Sequence, residues 1–510
     1  MVLRPYVDLH SRWRLAAHFL VPAGLALVCL VYGFFFAVTA PFLIIPMAVP
    51  VAVLALLSIW ALPETNTVPT KPMELFFSAL LIGLVLWPNY LALTLPGLPW
   101  ITMIRLTAFP MAFFLLICLS ASPDFRDKIL TTGRGARPIL QIMLLYSLNA
   151  CITLPFSHNI GFSLNALLLQ QTNWIGAFIA ALFIFRMPGR AERYAALLLM
   201  LAVPVAIVAA LEFQEQHVLW AGHVPNFLRV QDASAEGALM GAIRGATGQY
   251  RAKAAFSSPL GLAEFMSLMT PFAMHWAVGR YPLAQRVLGL VMIPVVFVIV
   301  RTTDARLGVL GYLISILTYV AFWSLIRWRQ RLNDLVSAAL VYAYPAAFLT
   351  LLALSMVVHK IHVLIFGGGA QSASNMQRQE QYRMALPALL KNPIGHGTNQ
   401  AGVAMGYSAG DFIAVDSYYI SVALDYGVIG LILYVGMFVV VIASAISAML
   451  HFTRGEDREL TMLIPLAACL SAFMMIRGVF SQPDIHPMIF TLLGMTVALV
   501  ARARSKAAVR

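Results

Sequence analysis

Apolar stretches about the length of a membrane helix, separated mostly by short polar connections, run through almost the whole chain. A hydrocarbon core of roughly 30 Å needs about 20 apolar residues as helix, because lipid leaves each backbone polar group to be satisfied within its own segment. On that rule the pattern predicts about fourteen spans. They fall near 15–37, 41–62, 73–94, 99–119, 138–155, 172–185, 194–212, 258–278, 287–300, 307–326, 336–358, 418–449, 460–476 and 486–501. The expected fold class is all-α, a polytopic integral membrane protein.

Two connections, 213–257 and 359–417, are much longer than the rest. They hold too many aromatic and apolar residues for disorder, and long connections in compact proteins usually serve function. The chain is therefore expected to divide into an N-terminal bundle (1–212), a first long loop (213–257), central helices (258–358), a second long loop (359–417), and C-terminal helices with a tail (418–510). In the second loop Arg378, Tyr382, Ala385 and Leu386 fall at i, i+4, i+7 and i+8, which predicts a short amphipathic helix on the membrane surface with these four on one face. "NPIGHG" ends it.

Composition excludes a soluble protein. Of 510 residues 61% are hydrophobic and only 11% charged, where a soluble chain has about a quarter charged. Charge then orients the spans. Alternate connections read "SPDFRDKILTTGRGAR", "RMPGRAER", "GRYPLAQR", "RWRQRLND", "HFTRGEDR" and "RARSKAAVR", whereas "TLPGLP", "SHNIGFSLNALLLQQT" and "SQPDIH" are free of Lys and Arg. Positive-inside bias places the basic set and both termini in the cytoplasm, and both long loops outside. The net charge of +13 is spread over these membrane margins, so membrane lipids and not nucleic acid are its expected neighbours. The first apolar stretch runs straight into a second, as an uncleaved first span would. The four cysteines lie in apolar spans without CxxC spacing, as reduced packing residues would. His359, His362 and His396 have no metal-ligand spacing, so no metal is expected. The glycine run at 367–369 lacks the strand and GK[ST] of a phosphate loop and reads as a hinge.

Arginines gather on the side where this bias disfavours them. Arg251, Arg306, Arg378 and Arg383 fall in or beside the long loops, with Arg244 and Lys253 close by; Arg105 and Arg477 fall near outer helix ends. A single arginine at a helix end more often snorkels or closes a salt bridge. Several together suit a phosphate or pyrophosphate ligand, because guanidinium binds phosphate oxygens bidentately.

"VDSYYISVALDYGVIG" raises a second question. Asp416 stands at the mouth of a span and Asp425 nine residues on, on the opposite side of any uninterrupted helix. Gly427 and Gly430 permit instead a short re-entrant helix followed by a true span from Val428. The structural readings are a cap of the helix start for Asp416, and for Asp425 a helix-break cap or a salt bridge to Arg477 or Arg105. Tyr418, Tyr419, Trp220 and Tyr250 suit stacking on sugar rings, although such residues are common at membrane interfaces.

The ordered set "RAKAAFSSPLGLAEF", "TTDARLGVL", "RQEQYRMALPALLKNPIGHGTNQ" and "VDSYYISVALDYGVIGLILY" resembles the O-antigen ligase and polysaccharide-polymerase superfamily of the bacterial cell envelope, over roughly 245–440. The resemblance implies a metal-independent, cofactor-free membrane glycosyltransferase of GT-C-like architecture in the inner membrane, with its site facing the periplasm. Its donor would be an undecaprenyl-pyrophosphate-linked saccharide, its acceptor a glycan or lipid-linked hydroxyl, and its reaction an inverting single displacement. Arg251 and Arg378, then Arg306 and Arg383, would stabilise charge on the departing pyrophosphate. Asp416 would be the base, where a ligase carries His-Asn, and this departure favours polymerase over ligase. An ordinary carboxylate, with pKa about 3.9, is a weak base unless its surroundings raise it. His396 is a reserve acid–base group, and Asp425, Arg477 and Tyr419 are secondary. The alternative is a transporter of lipid-linked oligosaccharides; the chain shows no internal repeat, and its charge lies at one face and not at the midplane.

Overall fold

The computed structural model describes residues 23, 24, 26–33, 50–65, 67–94, 100–134, 136–230, 233–243, 248–331, 333–358, 372–406, 415–451, 457–478 and 483–508. They are mostly helical, as expected of a polytopic membrane protein. Among them, Met103–Ala121, Arg137–Phe156, Ile160–Ile184, Arg190–Glu215, Leu283–Thr302, Arg306–Gln330, Tyr418–Leu450, Arg458–Ile476 and His486–Ser505 are nine helices long and apolar enough to cross a membrane. Thr70–Leu86 and Pro259–Val278 are also helical, and Pro50–Trp60 and Leu335–Ala347 are shorter apolar helices. Most of the expected span at 15–37 and the start of that at 41–62 lie outside the described residues.

One boundary departs from the sequence pattern. "SHNIGFSLNALLLQQT" was expected as a connection before a span at 172, but most of it is helix. Asn159 accepts the Phe162 N–H (3.0 Å) and caps a helix that opens at Ile160 and passes through a π turn at Gln171–Gly176. The glutamines that interrupt the apolar run misled the reading. Gln170 is buried and satisfied inside the bundle, donating to Tyr146 Oη (3.1 Å) and accepting from Tyr426 Oη (2.7 Å). A polar side chain with such partners costs little to bury.

The His486–Ala508 helix runs through the core, with residues such as Met488, Phe490, Leu493, Val497 and Val500 buried. Pro259–Val278 packs against Leu283–Thr302, Arg306–Gln330 and Leu463–Ile476. The connections segregate to two ends. At one end Ser163 Oγ donates to Thr398 O (3.0 Å), Ala252 N to Thr302 O (3.1 Å) and Tyr418 N to Arg477 O (3.1 Å), joining the two long loops to the shorter turns. At the other end Glu459 accepts from Gly189 N (2.8 Å), Ala191 N (2.6 Å) and Arg502 Nη1 (2.6 Å). The second end collects basic connections of the sequence.

Candidate functional site

The helix that begins at Tyr418 is broken at Gly427, whose φ of 71° and ψ of −175° are not helical. The break frees backbone groups, and the "NPIGHG" turn takes them up. His396 N donates to Leu424 O (2.9 Å), Gly397 N to Asp425 O (3.0 Å) and Val428 N to Pro393 O (3.2 Å). Asn149 Nδ2 donates to Tyr426 O (2.8 Å) from another helix. Non-helical backbone inside a bundle requires such replacement partners. The approach demands glycine on both sides: a Cβ on Gly395 (φ 116°) would lie 2.5 Å from Asp425 O, and one on Gly427 2.2 Å from Pro393 O.

Asp425 sits in the wall of this turn. Its carboxylate accepts the N–H groups of Asn399 (2.9 Å), Gln400 (2.8 Å) and Ala401 (2.7 Å), capping the short helix Ala401–Met405. The carboxylate therefore caps another helix and not the break in its own, and neither expected salt bridge forms. Arg477 Nη2 pairs with Glu264 Oε2 at 3.0 Å, and Arg105 Nη1 donates to Trp100 O at 2.6 Å.

His396, held by the same turn, places Nδ1 2.9 Å from Leu424 O. A carbonyl only accepts, so Nδ1 carries the hydrogen, and in the neutral ring the lone pair is then on Nε2. The side chain is half-buried.

Asp416 stands just before the helical segment 418–426 that precedes the break at Gly427. Its N–H donates to Gln381 Oε1 (2.9 Å), and its carboxylate lies 3.8 Å from Arg378 Nε, an atom shielded from solvent and without a hydrogen-bond partner. Both side chains remain about two-fifths open, at 39% and 40%. The helix start at Ser417 has no side-chain cap, and the Tyr418 N–H goes to Arg477 O. Structure therefore joins two of the residues singled out in the sequence, from different segments.

The helix that carries Arg378, Ser372–Lys391, presents a face other than the expected one. Gln381 and Ala385 are buried, and Ala385 packs with Ile420 and Leu424 of the segment 418–426, whereas Tyr382 and Leu386 are exposed. The polar Gln381 faces inward because the Asp416 N–H needs its acceptor. Arg383 is exposed on the side away from Arg378.

Arg251 belongs to a second corner. Its Nε donates to Thr303 O (2.9 Å), next to the helix that starts at the exposed Arg306. Lys253 does not join it. The Lys253 ammonium is buried, 4.5 Å over the Tyr90 ring, and burial pushes it down to about 8 while Glu212 opposes the shift. Arg477 and Tyr419 act as staples. Arg477 is wholly buried, its guanidinium 4.6 Å over Phe473 and 5.2 Å over Tyr418, and Tyr419 Oη donates to Met474 O (2.5 Å). Both tie the segment 418–426 to Leu463–Ile476.

Sequence reasoning passed over His486 and Glu212. His486 is buried behind Tyr418, stacked on Trp174 (4.4 Å) and 3.2 Å from Tyr434 Oη. Its only sequence signal was a histidine at the end of the polar "SQPDIH". Among the described residues no group of three or more His, Cys, Asp or Glu is arranged to hold a metal. Arg244, His359, His362 and the glycines at 367–369 lie outside the described residues.

Residues 289–435 match the O-antigen ligase family. The match supports the O-antigen ligase/polymerase superfamily and glycan processing of that type by a membrane glycosyltransferase-like enzyme. It covers Arg306, Arg378, Arg383, His396, Asp416 and Asp425, and leaves Arg251 and Arg477 outside. No curated protein matches the chain.

Proposed function

We propose, on the premise of the O-antigen ligase/polymerase superfamily that residues 289–435 support, that the protein moves a saccharide from a polyprenyl-pyrophosphate-linked donor to the hydroxyl of a glycan acceptor, as a polymerase more than as a ligase. The observation that carries the proposal is the meeting of Asp416 and Arg378 at the half-open start of the segment 418–426. The carboxylate is the base the reaction needs, and the guanidinium beside it fixes it at the mouth of the site.

Asp416 takes the proton of the acceptor hydroxyl as its oxygen attacks the anomeric carbon. The bond from that carbon to the pyrophosphate oxygen breaks with inversion, and the electron pair leaves on the phosphate. Pyrophosphate is already a good leaving group, so cations at the developing charge matter more than a proton donor. Inversion puts that charge on the face opposite the base, where Arg251 and Arg306 serve; Arg378, 3.8 Å from Asp416, holds the base and reaches the donor phosphates when the pair opens. Arg383 is better placed to meet lipid headgroups. The loop-bearing end faces the periplasm and the basic end, with both termini, the cytoplasm of a bacterial inner membrane.

A second reading of the base rests on one observation: Leu424 O holds the hydrogen of His396 on Nδ1, so that the neutral ring would offer Nε2 to a proton. The two readings separate in a purified-protein assay with a synthetic polyprenyl-pyrophosphate saccharide, following release of the lipid pyrophosphate. Removal of the base lowers turnover by about 10²-fold or more with donor affinity nearly unchanged. Asp416→Asn is expected to show that loss. Normal turnover in Asp416→Asn with a dead His396→Gln moves the base to His396. Translocation of donor without any pyrophosphate release would favour a transporter.

A further inference from the structure

We infer that Glu212 is a positioning residue for Arg251, holding the segment 250–254 so that its guanidinium is presented beside the Arg306 helix start; this rests on the reading of Arg251 as a pyrophosphate ligand. Glu212 lies in the last turn of the Arg190–Glu215 helix, fully buried. Its carboxylate accepts from Tyr250 Oη (2.7 Å) and Ala254 N (2.6 Å), with Lys253 N at 3.4 Å from both oxygens. These contacts bracket Arg251 on either side in the chain. From the opposite wall, Thr302 O takes the Ala252 N–H (3.1 Å) and Thr303 O takes Arg251 Nε (2.9 Å). The segment is thus clamped between one buried carboxylate and the end of the Leu283–Thr302 helix.

The clamp imposes an uncommon backbone. Of the described residues other than glycine, four have positive φ: Gln216 (57°), Ala254 (49°), Asp304 (45°) and Asn399 (61°). Ala254 donates the shortest of the bonds to Glu212, and Asp304 follows the carbonyl that holds Arg251. Gln216 ends the helix that carries Glu212. Left-handed backbone is disfavoured for any residue with a Cβ and persists only where its surroundings impose it, most often around functional sites. Asn399, the fourth, lies in the cap made by Asp425 at the other corner.

Lys253 completes the arrangement. Its buried Nζ has no hydrogen-bond partner and lies over Tyr90, whose Oη accepts from Trp220 Nε1 (3.0 Å). It balances the Glu212 charge without closing an ion pair, which leaves the carboxylate oxygens to the backbone of the segment.

The test is a double-mutant cycle on the full-length purified protein, with Glu212→Gln, Arg251→Lys and the pair, reading donor KM and kcat with a synthetic polyprenyl-pyrophosphate saccharide. Acting through Arg251, Glu212→Gln is expected to lower kcat/KM for the donor by about tenfold in the wild-type background and by less than about twofold in Arg251→Lys. Tyr250→Phe, which removes one contact and no charge, should show a smaller loss with the same non-additivity, and decides the matter if Glu212→Gln does not fold. Equal losses in both backgrounds, with Arg251→Lys itself impaired, overturn the inference and spare the proposed function. Wild-type turnover in Arg251→Lys overturns the role of Arg251 and this inference with it.

Discussion

Gly427→Ala tests the turn on which the site is built. At φ 71° and ψ −175° the backbone is in a region essentially reserved for glycine, so a Cβ there costs about 1–3 kcal/mol in strain. The added atom would also lie 2.2 Å from Pro393 O, 2.5 Å from Ile394 O and 2.6 Å from Ile394 C. All three are backbone atoms of the "NPIGHG" turn and cannot swing aside as a side chain would, so overpacking adds about 1–3 kcal/mol. The sum, roughly 2–6 kcal/mol, is a large part of the 5–15 kcal/mol that typically holds a folded protein. If the helix instead straightens to escape it, Leu424 O and Asp425 O no longer reach His396 and Gly397, and the site comes apart. The assay is thermal melting in detergent together with donor turnover. The control is Gly436→Ala in the same helix, where a Cβ meets nothing within 4 Å and alanine favours the helix by about 0.5–1 kcal/mol. Gly427→Ala should melt well below Gly436→Ala and lose most turnover. Equal melting and equal turnover in the two would refute the argument.

Lys253→Met tests the burial of the ammonium through the pH dependence of melting. Burial holds the folded Lys253 at about 8 against an ordinary 10.5, so folding favours its neutral form. That stability is present above pH 10.5, is lost as pH falls towards 8, and is flat below, a span on the order of 3 kcal/mol; Lys253→Met should lack this slope, and an unchanged slope would count against it. Arg378→Lys keeps the charge but not the bidentate fork, so turnover should fall, and wild-type rates would demote Arg378 to a lipid anchor. Chelator should leave turnover intact; loss with EDTA, restored by a divalent ion, would reopen a metal role for the histidines.

Much of the fold was legible because lipid allows so few solutions. A run of apolar residues must become a helix there, and scattered Lys and Arg sort the connections between two ends. The glycines after Asp425 permitted a break in the helix, and one occurs at Gly427. Where that reasoning failed, at Gln170 and Gln171, the missing information was distant: whether a glutamine ends a span depends on whether Tyr146 and Tyr426 arrive to satisfy it. The same holds for the site. Asp416, Arg378, His396 and Asp425 could each be named from the chain, but not that Asp416 faces Arg378 while Asp425 spends its carboxylate on Asn399, Gln400 and Ala401. Glu212 looked like the end of a span until the segment after Tyr250 folded onto it. Burial and helix formation follow from each segment's own solvent preference and so can be read along the chain. The partner a polar group takes in the interior is set by which backbone and side-chain groups the packed helices leave within hydrogen-bond reach, and only the tertiary structure decides that.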